Sequence, residues 1–533
     1  MTKAEAQQKR MCDEQPPSSK TMRYDRQLRL WGDEGQDALE NASVCLLNAT
    51  TLGCETLKSL VLPGVGEVHI VDSKTVTVTD VQTNFFLTPS DVGKARSECV
   101  VKTISQLNPE TKHTAYTSTI PHFIQNHMDS LKRFSVFIVS NLSVAEYSEL
   151  AQIAWDSNIP LVIANIVGMY TEIRIVVREH CIIESKPDTP LPDLRLDKPF
   201  TELIDFYQNI DFSLFTDTEH AHIPFVVILL KCLEQWRSCH GGEIPKNYKE
   251  KKEFKELISA LKRKSDEENF LEACQKVNKC VMIASLPCHI AELFEDPACV
   301  VTPCSSPFWI TAAAVKQFYN VRGVLPVSGV LDDMTADSQS FVALQTLYRD
   351  KAASDAEVVA GYVQGFLNKF DLPSQFVSRD LINKFSKNSG FIRVVRTSPV
   401  ASSKEIMSKS LETTDQEDLA HVVLLFRACF EFLKIEGRWP GEEGDKLTVD
   451  EIKLMQMWRG IQEDLGLPAD KPAPAIFVKD FVRFGGTEVP SVAAFSGGIA
   501  AQECIKLITC QYVPVDNCFV YNGGSQLTSV YKF

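Results

Sequence analysis

The hydrophobic pattern is clearest between Val44 and Asp72, in VCLLNATTLGCETLKSLVLPGVGEVHIVD. Val44–Leu47 is a short, continuous apolar run and reads as a buried strand. After a turn, Glu55 to Leu62 follows helical spacing. Glu67–Val71 reads as a second strand with Asp72 at its tip. Strand, turn, helix, strand and terminal acid make the opening of a nucleotide-binding βαβ unit, where the acid would read a ribose. The same rhythm continues. A polar loop covers Val76–Pro89, and DVGKAR at Asp91–Arg96 starts a helix through Ile104 that ends near Asn108-Pro109. Phe134–Val139 is a third strand, Ser143 and Glu146 are spaced as a capping box for the next helix, and Ile159–Ala164 is a fourth strand. Ile173–Val177 extends the sheet in mixed orientation. Strands alternating with helices predict an α/β fold, a mostly parallel sheet covered on both faces.

The rest of the chain divides by pattern. Residues 1–20 are polar with a Pro-Pro-Ser-Ser step and are expected to be disordered. The α/β pattern occupies 21–186. A proline-rich, charged break at Pro187–Pro199 then opens a mainly helical stretch, taken as an insertion over 187–472. Within it Phe254, Leu257 and Leu261 form an apolar stripe, Phe341–Tyr348 and Val358–Phe370 read as two helices, and Thr448 with Glu451 as a second capping box. The sheet signal returns over 473–533, with apolar Ala475–Val478, a helix carrying Ala501, Ile505 and Ile508, and a short strand at Cys518–Tyr521.

Composition narrows the class. A chain of 533 residues exceeds one typical domain, and 44% apolar with 23% charged residues describes a protein able to bury a large core. A formal charge of −14 argues against nonspecific nucleic-acid binding or an anionic membrane surface. No stretch is apolar enough to span a membrane, and the first residues carry no hydrophobic signal core. The 16 cysteines have no disulfide-framework spacing, which predicts a reducing compartment, cytoplasmic and nuclear.

Candidate chemistry is sparse. A Gly-x-Gly-x-x-Gly turn would place glycine at positions 48, 50 and 53, and only Gly53 is glycine; Asn48 and Thr50 put side chains where a phosphate would approach. β-branched Thr50 also suits unusual backbone dihedrals poorly. Either the unit holds a nucleotide in an atypical way or it is kept for packing alone. No Cys-x-x-Cys pair exists, and Cys299/Cys304, His180-Cys181 and Cys288-His289 do not form a zinc set, so no metal is expected. Cys304 and Cys181 lack a recognisable base for nucleophilic work. In RYDRQLRLWGDEGQ, Arg23, Arg26 and Arg29 recur along one helical face. They are either a salt-bridged surface or a guanidinium presented to phosphate.

Three segments, RYDRQLRLWGDEGQ (Arg23–Gln36), LGCETLKSLVLPGVG (Leu52–Gly66) and FSGGIAAQECIKLIT (Phe495–Thr509), resemble the activating enzymes of ubiquitin and ubiquitin-like proteins. So does the layout, a Rossmann-like adenylation-type domain interrupted by a large mainly helical insertion. Active members of that family resemble Gly-x-Gly-Gly-x-Gly after the first strand; here Asn48, Thr50 and Thr51 precede the surviving Gly53. Asp72 is kept where the family has Asp-x-Asp, but the second aspartate is Lys74. Thr83 stands where a nucleotide-contacting arginine is expected, Lys94 is retained, and Ser140 or Asn141 replaces a metal-associated aspartate. The insertion resembles a catalytic-cysteine domain without its cysteine motif.

The resemblance therefore implies a regulatory, non-catalytic subunit in the branch that starts neddylation, with no cofactor bound by this chain. It implies an obligate catalytic partner subunit holding ATP and Mg, a ubiquitin-like modifier and a transient conjugating enzyme. Arg26 matches a family arginine that crosses the dimer interface to the partner's ATP phosphates. The alternatives are a pure scaffold or adaptor, a subunit for a sibling modifier, or a self-sufficient nucleotide-dependent enzyme.

Overall fold

The structure is a computed structural model. It describes residues 22–188, 193–400, 418–466 and 474–533. The disorder expected at 1–20 and part of the proline-rich break fall outside the described residues. The chain forms two compact units, one comprising the residues up to His180 with Val394–Phe533, the other Cys181–Arg393.

The first unit is built on strands β1 (Ser43–Leu47), β2 (Glu67–Val71), β3 (Lys112–Tyr116), β4 (Val136–Ser140), β5 (Leu161–Val167) and β6 (Tyr170–Val176). Two further strands, β7 (His180–Ile182) and β8 (Arg393–Val395), pair separately where the chain leaves and returns. β9 (Cys518–Asn522) and β10 (Leu527–Tyr531) complete an eight-stranded sheet in the order β10-β9-β6-β5-β4-β1-β2-β3. β1 to β5 run parallel; β6, β9 and β10 join antiparallel.

Burial on both faces explains why Val44–Leu47 of β1 is apolar at every position. Val44 and Leu46 face a core with Leu52, Leu57 and Leu60 of helix Thr51–Val61 and with Ala500 and Cys504 of helix Pro490–Thr509. Cys45 and Leu47 face Tyr147 and Leu150 of helix Val144–Asp156, which carries the expected Ser143/Glu146 capping box.

Several elements differ from the sequence reading. β3 and β10 are outermost in the sheet order; their mixed sequences, KHTAY and LTSVY, leave residues exposed or half-buried and give no apolar run to detect. Ala475–Phe484 is a helix, not a return of the sheet: Phe477, Val478, Phe481 and Val482 form its buried stripe. Thr448 lies inside helix Leu447–Asp464, whose N-cap is Lys446, so no capping box forms there with Glu451. Asp450 takes the structural role, accepting from both terminal nitrogens of Arg438 at 2.7 and 2.8 Å and from Gly441 N–H at 2.8 Å.

The insertion also ends earlier than 472. Helices Ala420–Glu436 and Ala475–Phe484 pack on the first unit's own sheet, in one core with Val167, Tyr170, Cys518 and Val520. The second unit is mainly helical, around Phe225–Cys239, with Phe254 and Ile258 of helix Tyr248–Ala260 in its core. The two helices expected near its end are a single helix, Ser338–Lys369, started by Asp337, whose carboxylate accepts from Gln339 and Ser340 N–H.

Candidate functional site

In a doubly wound sheet, ligands enter at the carboxyl ends of the strands, where the order reverses. Here that point lies between β1 and β4, because the chain runs β1-β2-β3 outward and then returns to the other side of β1. The tips concerned are Asn48 after β1 and Ser140-Asn141 at the end of β4.

Side chains stitch this crevice together. Asn48 has φ +70°, so its position demands the left-handed backbone that a glycine turn supplies, and asparagine tolerates it. Its Nδ2 donates to the carbonyls of Ser140 and Asn141 at 2.7 and 3.2 Å. Thr50 is extended (φ −72°, ψ 174°), so the expected conflict between threonine and unusual dihedrals does not arise. It caps helix Thr51–Val61, accepting from Gly53 N–H at 3.2 Å, and its hydroxyl lies 2.5 Å from that of Ser140.

The helix N-terminus is also taken. Such an end favours an anion, because its first N–H groups lack partners and the helix dipole is positive there. Glu488 supplies one: its Oε2 accepts from Leu52 N–H at 2.8 Å and its Oε1 from Asn141 Nδ2 at 3.0 Å. A carboxylate from the last part of the chain thus stands where a phosphate would be cradled.

Asp72 is likewise committed. One oxygen accepts from Ala49 N–H at 3.0 Å and from Arg96 Nε at 2.7 Å; the other accepts from Lys74 N–H at 2.9 Å. The Arg96 guanidinium, almost wholly buried, also donates to Asp80 at 3.0 Å and to Asn48 Oδ1 at 2.5 Å. Asp72 and Asp80 stabilise its charge against the cost of burial. A cavity of about 410 Å³ remains beside these groups, lined in part by Asn48, Asp72, Lys74, Thr119, Leu142 and Glu146.

Of the residues singled out from the sequence, Asn48, Thr50, Gly53 and Asp72 meet at one place, with Lys74 on the cavity wall. Thr83 is near their rim, accepting from the Thr51 hydroxyl at 3.3 Å. Lys94 is not part of the site; its exposed ammonium lies 3.5 Å from Asp91. Arg96 and Glu488 were missed. DVGKAR signals a helix start and nothing of the role of Arg96, and Glu488 lies 436 positions from its partner Leu52, beyond any local pattern. Among the described residues, no three His, Cys, Asp or Glu side chains gather as a metal-holding group.

Desolvation pushes the Glu488 carboxyl up to about 7, against the bonds from Leu52 and Asn141 and the charge of Arg96. A folded-state value above the unfolded one means the folded protein holds its proton more tightly. The resulting stability is fully present below the unfolded value and is lost as pH rises through about 7. In denaturant titrations of the chain between pH 4.5 and 7.5, Glu488→Gln is expected to remove this fall, roughly 1–3 kcal/mol, leaving an offset independent of pH. Parallel pH profiles for the two proteins would refute it.

Arg26 lies apart from this cluster, in the first turn of helix Asp25–Glu40, and is exposed. The three arginines of its segment are not equivalent. Arg23 donates to the Leu107 carbonyl at 3.2 Å, and Arg29 pairs with Asp25 at 2.9 Å. The Arg26 guanidinium has no hydrogen-bond or ion-pair partner among the described residues.

The ThiF family matches residues 24–529. The chain is 38% identical over 529 residues to the NEDD8-activating enzyme E1 regulatory subunit of Xenopus laevis, covering 96% of this chain and 98% of the relative. It is 36% identical to the protein of the same name in Danio rerio, over 97% of this chain and 99% of that one. The Drosophila melanogaster counterpart is 36% identical over 95% and 96% of the respective chains. With the ThiF match over residues 24–529 and likeness to these subunits over nearly the whole of each chain, the chain belongs to the ThiF family and, within it, to the NEDD8-activating enzyme E1 regulatory subunits.

Proposed function

We propose that this chain is the non-catalytic half of a heterodimer whose catalytic subunit holds ATP and Mg. There the C-terminal glycine carboxylate of the ubiquitin-like modifier attacks the α-phosphorus of ATP and expels pyrophosphate. A cysteine thiolate of that subunit then displaces AMP, and the thioester goes through a conjugating enzyme to cullins, in cytoplasm and nucleus. This chain contributes the second half of the adenylation dimer and Arg26, reaching the partner's ATP phosphates.

The observation that carries this reading is the internal occupation of the crevice. An Mg-bound triphosphate does not fit it. Glu488 already takes the Leu52 N–H at the helix N-terminus that a phosphate would need, Asn48 and Thr50 are bonded across the approach to Ser140, and Asp72 has its charge committed to Arg96. On this reading ATP is held and consumed in the catalytic subunit alone. Calorimetry should find no saturable ATP binding to the isolated chain and a single ATP per heterodimer with the catalytic subunit. Saturable binding to the isolated chain, abolished by Asp72→Ala, would instead support a self-sufficient nucleotide enzyme.

A further inference from the structure

Resting on the reading of Arg26 just given, we propose that Tyr24 is a positioning residue for Arg26: its buried phenol fixes the helix turn that presents that guanidinium to the partner. Tyr24 is 1% exposed, although Arg23, Asp25 and Arg26 around it are exposed. Its hydroxyl accepts from Asn108 Nδ2 at 3.1 Å and donates to Glu110 Oε2 at 3.3 Å. Asn108, itself fully buried, also donates to the Val61 carbonyl at 3.0 Å, at the end of helix Thr51–Val61.

The ring has little room to move. Gly64, at φ +97°, faces it so closely that a Cβ there would lie 2.8 Å from both the ring carbon Cζ and the hydroxyl oxygen. Arg23 lies over the phenol ring, 5.7 Å from its centre, with its guanidinium held by the Leu107 carbonyl.

Backbone geometry links this anchor to Arg26. The Tyr24 carbonyl accepts the Leu28 N–H at 2.9 Å, the bond that closes the first helical turn, and Arg26 lies within that turn. Further along, Gln36 Nε2 donates to the Pro63 carbonyl at 3.0 Å, so the Pro63-Gly64 turn holds the kinked helix at a second point. The turn that carries Arg26 is thereby fixed at Tyr24, and the segment beyond the kink at Gly32 is fixed at Gln36. Orientation of a charged group toward a transferring phosphate contributes directly to rate, and small misplacements are costly.

The test is Tyr24→Phe in the heterodimer reconstituted with the catalytic subunit and the modifier, assayed by ATP–pyrophosphate exchange. Adenylation kcat/KM for ATP should fall by about tenfold, with the heterodimer's dissociation constant and the KM for the modifier unchanged. In an Arg26→Ala background, Tyr24→Phe should have no further effect. Gly64→Ala, whose Cβ pushes on both the ring and the hydroxyl while the phenol stays chemically intact, should repeat the pattern. A full tenfold loss persisting in the Arg26→Ala background would show a merely structural role and overturn the proposal. So would an unchanged rate for Tyr24→Phe where Arg26→Ala is slow. Arg26→Ala without effect would instead remove the reading on which the proposal rests.

Discussion

Arg26→Ala is expected to slow adenylation in the assembled heterodimer by about 10²- to 10³-fold, with subunit association intact. A guanidinium aimed at transferring phosphates stabilises charge that develops in the transition state, and it does so in a partner's water-excluded site without local reorganisation. The planar fork matters as well as the charge, so Arg26→Lys should recover only part of the rate. The neighbouring arginines provide the controls. Arg29 is already paired with Asp25 four residues earlier, and both side chains are more than half exposed, so breaking that pair should alter stability by well under 1 kcal/mol and leave the rate near that of the unmodified enzyme. Pyrophosphate exchange and single-turnover adenylate formation, measured alongside the dissociation constant of the heterodimer, separate chemistry from assembly. An unchanged rate with intact assembly would leave only a scaffold role for this chain.

The inner parallel strands β1 and β4 were legible because they are buried on both faces. Val44–Leu47 and Val136–Val139 need apolar residues at every position, and that density is a local signal. β3 and β10 carried no such signal, since outer strands require less burial. Ala475–Val478 misled for a related reason: four apolar residues cannot distinguish a strand from one turn of a buried helix. The stripe becomes helical only when Phe481 and Val482 are added.

At the site, local sequence showed what was missing but not what replaced it. The lost glycines announced that a phosphate cradle was altered. The replacement depends on tertiary contacts: Arg96 reaches Asp72 across 24 positions, Asn48 reaches Ser140 across 92, and Glu488 arrives from beyond the insertion. None of these pairs has a periodic signature. Arg26 stood out by its motif, but its distinction from Arg23 and Arg29 depends on which carbonyl and which carboxylate those two reach.

The Arg96–Asp72 pair is where the fold itself is most exposed to a single change. Arg96→Ala should destabilise the chain by about 3–5 kcal/mol, because it leaves a carboxylate uncompensated in the interior. Asp72 is 2% exposed at its side chain and would retain only the N–H groups of Ala49 and Lys74. Asn48 and Asp80 would lose a donor at the same time. If the penalty is mainly the stranded charge, then Arg96→Met combined with Asp72→Asn should cost at least about 1 kcal/mol less than the sum of the single changes, since an amide can still accept from Ala49. Equal and additive losses in urea denaturation would show that packing rather than charge pairing dominates. The same variants test whether Arg96 alone keeps nucleotide out. On the proposed reading it does not: with the guanidinium gone, Glu488 would still take the helix N-terminus and Asn48 would still bridge to Ser140 and Asn141. Arg96→Ala should therefore melt earlier and gain no protection from Mg-ATP in thermal denaturation. Protection that rises with ATP concentration would mean that Arg96, and not the closed crevice around it, is what excludes the phosphates.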